Sequence, residues 1–446
     1  MKTLSKEQIS KFLAFTVGSN SNFIDIDYLN SIKLSDNREM NIEYFKSEIL
    51  NIFNTEIDSY NVVDGENIGL LLSGGLDSTL LLSILKDKFP SSKIYTYTLG
   101  YSSTDAHLAK AKKISEEYNT IHREVIYDLS SNLLETFDEI YKSGYDLEGE
   151  DSLIMNHILS KEVVKDCKIV FSGFGLDYIF AGMDLFRNSF MEKLYNKKLI
   201  DKSYIFNVLG GNKYYLKYVL DKINSPLGAD FFVKYGEYYA YNLTENLQQF
   251  SNTYFKTSIG NIRNDISELK KQIYFIITTS LSNRYNPYNL PYEKLGVKHH
   301  NPFGSKNVIS EVISLNIPDN FLYNPYTKEK KFIIREISKE KINSEILNNL
   351  HTGTVLNYEQ SFRNNKSEIL KLISENSRFL TNFFSRDFIE NFDKVIEDSV
   401  WYENSKQIIV VLQMLFYVKN NQVVLYETSK IDQIVKEKVG DKILIK

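Results

Sequence analysis

Cysteine is nearly absent from this chain. A single thiol, Cys167, in 446 residues excludes a disulfide framework and any Cys-x-x-Cys redox or metal motif, and it is expected to act as a small core residue. Proline is scarce, with 7 residues, and no repeat or low-complexity linker divides the sequence. Long hydrophobic runs are missing too. The longest late one, residues 408–418, is interrupted by Gln413 and too short to span a bilayer, so it reads as a buried helix. Residues 1–15 have no apolar signal core, and a cytoplasmic protein with no membrane partner is expected. Neither charge sign dominates: 53 Lys and Arg against 57 Asp and Glu give a net charge of −4, which argues against a nucleic-acid partner. What the chain has is a 43% hydrophobic composition, enough to bury one large core or two.

The most informative segment begins with Ile68, Gly69, Leu70, Leu71 and Leu72, an apolar run that reads as a buried strand. It ends in Ser73, Gly74, Gly75, Asp77, Ser78 and Thr79, and an apolar helical pattern follows. Glycines let backbone N–H groups approach an anion, and a helix starting near Ser78 points its positive end at them. Asp77 would repel phosphate by itself, so its presence implies a divalent cation, Mg2+, shared between carboxylate and phosphates. The segment resembles the PP-loop of the ATP pyrophosphatases, which cleave ATP to AMP and pyrophosphate. A Walker A loop does not fit, because no Gly-Lys-Ser/Thr closes the turn.

Residues 168–172 read as a second buried strand running into Gly173, Phe174, Gly175, Leu176, Asp177, Tyr178, Ile179, Phe180, Ala181, Gly182 and Met183. This resembles the Ser-Gly-x-Gly-x-Asp-Glu-x-Phe-x-Gly motif of asparagine synthetases and their β-lactam synthetase relatives. Alone, Gly-x-Gly after a strand is a weak signal; in this order after the first motif it is strong. Between the two, residues 94–98 read as a strand followed by Leu99, Gly100 and Tyr101, where the family has a Val-Gly-Phe that lies along adenine. Asp105 is a good N-cap for the next helix, residues 119–125 read as a strand carrying His122, and Asp151 with Ser152 opens another helix. Upstream, residues 44–53 read as an amphipathic helix, and residues 12–34 resemble the linker from a glutaminase domain. Downstream, residues 300–305 and 330–336 stand where the family has Arg-x-Pro-Phe-Leu-Asp and Lys-x-x-Leu-Arg-Glu. The expected fold class is α/β: a doubly wound parallel sheet of the PP-loop (adenine nucleotide α-hydrolase-like) type, with a large helical acceptor-side and C-terminal region. Three regions are expected: 1–40 as a glutaminase-type remnant or linker, 41–360 as the ATP-binding domain, and 361–446 as a helical extension with a short hairpin over residues 420–426.

Departures from the family pattern carry information as well. Phe174 stands where asparagine synthetases have Glu and β-lactam synthetases Tyr, and Tyr178 replaces the Glu after the second Asp. His300 and Ser305 replace the arginine and aspartate around Pro-Phe. The family's pyrophosphate lysine has its nearest reading in residues 347–353, with His351 where a cation is wanted. Position 2 is Lys2, where glutaminase domains need a cysteine nucleophile, so glutamine hydrolysis is not expected. The pair His299 and His300 lacks a third ligand at helical spacing and reads as structural. Lys328, Lys330, Lys331, Arg335, Lys339 and Lys341 spread over more than one helix face, and Lys331 is the one chosen to face pyrophosphate.

The resemblance implies ATP and Mg2+ as cofactors. Leu72, Ser73, Gly74, Gly75, Asp77, Ser78, Thr79, Leu99, Gly100, Gly173 and Gly175 would bind nucleotide and pyrophosphate. Asp77 and Asp177 would hold metal; Lys331, His351 and Asp77 would act in catalysis; Phe174 and Tyr178 would line an acceptor pocket. The implied reaction adenylates a carboxylate and joins it to an amine, and is not asparagine synthesis. Thiolation or nucleoside modification, and an inactive nucleotide-binding partner subunit, are the alternatives. The implied partners are small-molecule or peptide carboxylates and amines, with room for an ammonia-supplying or carrier subunit or a second copy of the chain.

Overall fold

Apolar runs bounded by glycine and polar turns become the strands of one parallel sheet. The computed structural model describes residues 2–5, 12, 23–36, 40–147, 152–182, 244, 260–324, 326–327, 329–348, 350, 358–399, 402–421, 423–426 and 443–444. Strand β1 (Lys2–Ser5) lies outside the central sheet, which is built from β2 (Ile68–Leu71), β3 (Ile94–Gly100), β4 (Ile121–Ile126), β5 (Ile169–Ser172) and β6 (Lys298–His300). Their order is β4-β3-β2-β5-β6, and every pairing is parallel. The chain starts in the middle, winds outward through β3 and β4, then returns to the other side of β2. The topological switch therefore falls between β2 and β5, where a doubly wound sheet opens a crevice at its carboxyl edge.

Helices cover both faces. On one face the helix Ile42–Ser59 buries Phe45, Ile49, Ile52, Phe53 and Ile57, and Asn41 caps it by accepting the Tyr44 N–H at 3.0 Å. The helix Leu76–Lys88 is enclosed on nearly all sides, with Leu80, Leu81, Leu82 and Leu85 in the same core. On the other face the helices Leu129–Lys142 and Ser152–Asp166 bury Leu133, Phe137, Tyr141, Leu153 and Val163. The C-terminal helix Tyr402–Asn420 joins that second core through Ile408, Val411, Leu412 and Phe416, as its apolar run suggested. Cys167 is buried against the Tyr97 hydroxyl at 3.6 Å, and burial pushes its thiol up to about 11.

Several expectations are corrected. Residues 420–426 do not form a hairpin: the helix runs to Asn420, and β9 (Val423–Tyr426) pairs in parallel with β1 and antiparallel with β10 (Ile443–Leu444). Valine-rich segments pair with whichever edge is available, so a local turn was a poor guide to the partner. Residues 298–300 form edge strand β6. Of the stretch from 184, residues 184–243 and 245–259 lie outside the described residues. Asp105 occupies the N-cap position of Ala106–Glu117, but its carboxylate accepts the Tyr101 and Ser102 N–H groups at 2.8 and 3.2 Å, binding the preceding loop.

Candidate active site

Leu71 and Ser172 are register partners, so β2 and β5 end at one level and their following loops lie side by side. Closeness is enforced by Gly173: a Cβ there would stand 2.8 Å from the Asp77 carbonyl carbon and the Ser78 nitrogen. Gly175 has φ +129, and its missing Cβ makes room for the backbone of Phe303 and Gly304. Two loops separated by a hundred residues thus meet at backbone distance.

Gly75 caps Leu76–Lys88 without a side-chain bond, leaving the first-turn N–H groups of that helix without a cap. The Ser73 N–H donates to Ser78 Oγ at 3.2 Å, the Gly75 N–H donates to Ser73 Oγ at 3.2 Å, and the two hydroxyls lie 3.1 Å apart. Hydroxyl oxygens therefore accept bonds that a phosphate oxygen could take. Thr79 is placed differently: its side chain is fully buried and its hydroxyl donates to the Gly75 carbonyl at 2.7 Å, which commits it to the loop and not to the cleft. Leu72 is anchored by its N–H to the Tyr97 carbonyl at 2.9 Å and by its carbonyl, which accepts the Thr98 hydroxyl. Leu99 lines the cleft, while Gly100 packs against Leu108.

Lys331 joins the two motifs. Its ammonium donates to Asp77 Oδ1 and Oδ2 at 2.8 and 2.9 Å and pairs with Asp177 Oδ1 at 2.7 Å. The residue precedes the helix Phe332–Lys341 in a left-handed conformation, φ 51 and ψ 41, which costs a non-glycine residue about 1–2 kcal/mol. Just before it, β7 (Tyr323–Asn324) and β8 (Glu329–Lys330) pair antiparallel and deliver it. Burial pushes the Asp77 carboxyl up to about 6, with Lys331 opposing and Asp177 reinforcing the rise. Burial works against the Lys331 ammonium, yet the two carboxylates outweigh it and hold its proton more tightly than usual. Arg335, one turn on, adds positive field at Asp77 and donates from Nε to the Lys330 carbonyl at 3.1 Å.

Two carboxylates around one ammonium leave a net negative charge in a mostly buried place. That donor set suits a hard divalent cation completing its shell with phosphate oxygens and water, because Asp77 and Asp177 already converge on a common point. Among the described residues, no cluster of three or more His, Cys, Asp or Glu could hold a metal by protein ligands alone.

The far wall of the cleft is aromatic. The Phe174 ring stacks on Tyr288 at 4.2 Å and meets Tyr178 edge-on at 5.4 Å. Arg284 Nη1 donates to the Tyr178 hydroxyl at 2.6 Å. Sequence reading missed Arg284 and Tyr288. They lie on the helix Ser282–Glu293, whose internal Pro287 and Pro291 make it look like a loop. Other candidates sit elsewhere. His122 Nδ1 bonds the Thr96 hydroxyl at 2.9 Å within the sheet, and burial lowers its affinity for a proton. His299 packs on Tyr292 and His300 stacks on Tyr60 at 4.0 Å; burial pushes them down to about 3 and about 4, so both are neutral core imidazoles. Ser305 caps the helix Lys306–Ser314 by accepting the Val308 N–H at 3.1 Å. His351 lies outside the described residues.

The family model described as asparagine synthase matches residues 60–416. The glutamine-hydrolysing asparagine synthetase of Homo sapiens is similar at 30% identity over 183 residues, covering 39% of this chain and 32% of the human protein. The chain thus spans about a third of the length of the curated relatives it matches. Among solved structures, an NH3-dependent NAD synthetase from Campylobacter jejuni is similar at 16% identity and TM-score 0.23, covering 33% of this chain and 63% of that one. A U34-tRNA thiolase from Methanococcus maripaludis is similar at 14% identity and TM-score 0.26, covering 57% and 80%. With the family match running from Tyr60, just after the helix Ile42–Ser59, into the helix Tyr402–Asn420, the chain belongs to the asparagine synthase family.

Proposed function

We propose that this chain is an ATP-dependent synthetase that adenylates a carboxylate and passes the acyl group to an amine. In the first step a carboxylate oxygen attacks the α-phosphorus of ATP, the bond to the β-phosphate oxygen breaks, and pyrophosphate leaves with the electron pair. In the second step an amine attacks the acyl carbon, AMP departs with the bonding pair, and the amine gives up one proton. The product is an amide, a lactam or a related bond.

The observation that carries this reading is the Asp77–Lys331–Asp177 cluster at the joined ends of β2 and β5. Asp77 and Asp177 would hold Mg2+, which when bound supplies positive charge to the phosphates. Ser73, Gly74, Gly75 and Ser78 would hold pyrophosphate through backbone N–H and hydroxyl donors, with Gly173 and Gly175 keeping the second loop close. Leu72, Leu99 and Gly100 would flank adenine at the β2–β3 end. Lys331 would face the leaving pyrophosphate, where a preorganised cation stabilises developing charge; His351 stands as the second candidate. Phe174 and Tyr178 would form the acceptor wall. The cleft encloses about 410 Å3, within the roughly 300–1,000 Å3 of common small-molecule sites.

ATP–pyrophosphate exchange with a carboxylate panel tests the reading. Exchange that needs Mg2+ and vanishes in Asp77→Ala and Asp177→Ala is expected. Turnover unchanged in either variant removes the proposal.

A further inference from the structure

Side chains from three elements join at the end of β5. Phe171 and His300 are register partners in the parallel pair β5–β6, so Ser172 and Asn301 follow them at one level. The Ser172 hydroxyl donates to Asn301 Oδ1, and Asn301 Nδ2 donates to Asn289 Oδ1 at 2.8 Å on the helix Ser282–Glu293. All three residues are buried, and Ser172 lines the cleft. The two bonds run in one direction. A serine hydroxyl has one proton and two lone pairs, so a proton spent on Asn301 leaves only lone pairs for a ligand. Ser73 and Ser78 differ: their hydroxyls lie against each other and accept backbone N–H groups of the first loop.

The geometry points to Asn301 as a positioning residue that fixes Ser172 as an acceptor for a ribose hydroxyl of ATP, an inference that rests on the nucleotide placement of the synthetase reading. Ser172 stands level with Leu71 and precedes Gly173, which abuts the backbone of Asp77 and Ser78. On one side lie Leu72 and Leu99, given above to adenine, and on the other the loop given to the phosphates. Ribose joins those two parts of ATP. The oxygens of an ionised triphosphate only accept, so a hydroxyl whose proton is already spent has nothing to give them. A ribose O–H can donate to it. Without Asn301 the Ser172 hydroxyl would be free to turn, and its single polarity toward the cleft would be lost.

Equilibrium binding to the full chain isolates the feature, with Mg2+ present and no carboxylate substrate. The probes are ATP, 2′-deoxy-ATP and 3′-deoxy-ATP, each deoxy form lacking one hydroxyl. The natural protein is expected to bind one deoxy form at least about threefold more weakly than ATP, the scale of one neutral hydrogen bond. Ser172→Ala should weaken ATP by about 3–10-fold and leave the deoxy form within about twofold of ATP. Asn301→Leu should do the same, and the double variant should add less than about twofold to either loss. Asn301→Asp keeps an acceptor for the Ser172 proton and should keep the discrimination between ATP and the deoxy form. That ratio is taken within one protein, so a general loosening of the cleft does not move it. Circular dichroism melts confirm that each variant folds; Asn301→Ala replaces Asn301→Leu if it does not. Discrimination retained in Asn301→Leu, or losses that add in the double variant, overturns the inference and leaves the synthetase reading standing. Equal binding of all three nucleotides by the natural protein does the same. No binding of ATP removes both.

Discussion

Asp77 and Lys331 are 254 residues apart in sequence, and the ammonium of one lies 2.8 Å from the carboxylate of the other. Asp77 is placed by the first loop of the sheet, Lys331 by a left-handed residue at the start of a late helix. Their contact, shared with Asp177, makes the cleft a closed electrostatic unit in which no member changes alone.

Removing the cation should therefore expose the repulsion it masks. Lys331→Met leaves Asp77 and Asp177 facing each other. The loss in stability is expected to be about 2–3 kcal/mol, below the ~3–5 kcal/mol of a fully buried pair, because Asp177 is 48% exposed. Added Mg2+ should recover part of it in the variant and less in the natural protein. A melt that ignores both the substitution and the metal would show that the carboxylates do not share a cation site.

Asp77 gives a pH signature of defined sign. Its carboxyl is raised from 3.8 to about 6 in the folded state, so the folded form binds more protons between those values, and its contribution to stability is lost as pH rises through about 6. Asp77→Asn removes that titration. The advantage in Tm of Asp77→Asn over the natural protein should grow from pH 4 to pH 7. A constant difference across that range would mean that the carboxyl is not raised. Buried-acid titration predicts one more limb: exchange activity should fall as pH drops through about 6, since metal binding needs the ionised form.

Legibility followed locality. The strand–loop–turn segments at Ser73 and Gly173 were readable because backbone approach, hydroxyls and an acid fall within a few consecutive residues, and β2 and β5 then placed them side by side. Lys331 was readable only as one cation among six; its left-handed φ, which aims it, has no sequence mark. Arg284 and Tyr288 escaped notice because their helix contains Pro287 and Pro291 and follows an irregular turn of π-helix at Ile277–Leu281. The pairing of β9 with β1 joins residues more than 400 positions apart, and nothing local in either strand announces the other.

Close approach of the two loops makes a sharp steric test. Gly173→Ala puts a methyl 2.8 Å from backbone atoms of Asp77 and Ser78, which cannot rotate aside. Overpacking of this kind costs about 1–3 kcal/mol, and the displacement should also spread the phosphate-holding loop. A melt lowered accordingly, with ATP-analogue affinity down at least about tenfold, is expected. Wild-type affinity in a folded Gly173→Ala protein would mean that the loops do not meet as described.

Glutamine should not be hydrolysed by this polypeptide. Its one thiol is 2% exposed and held as the protonated form, with burial driving it to about 11, so thiolate chemistry is unavailable near neutral pH. Ammonia release from glutamine by the purified chain, unaffected by Cys167→Ser, would point to a nucleophile of another kind.

The two half-reactions should separate by pH. Adenylation consumes a carboxylate and needs ionised Asp77, so its profile rises through about 6 and then levels. Acyl transfer needs a neutral amine, and among its described lining residues the cleft offers no histidine, and no carboxylate outside the pair held by Lys331, to take its proton. A missing general base typically costs about 10²–10⁴ in rate, so transfer depends on the fraction of amine already deprotonated. For an α-amine that fraction climbs until about pH 8, and for an alkyl amine until above about pH 10. Measuring pyrophosphate exchange and product formation on the same protein from pH 5 to 10 resolves the two limbs: exchange flat above about 7, product still rising. Superimposable profiles would mean that a base outside the described wall removes the proton. Phe174→Glu then becomes the complementary test, since a carboxylate restored at that position should move the product limb to lower pH while the exchange limb stays tied to Asp77.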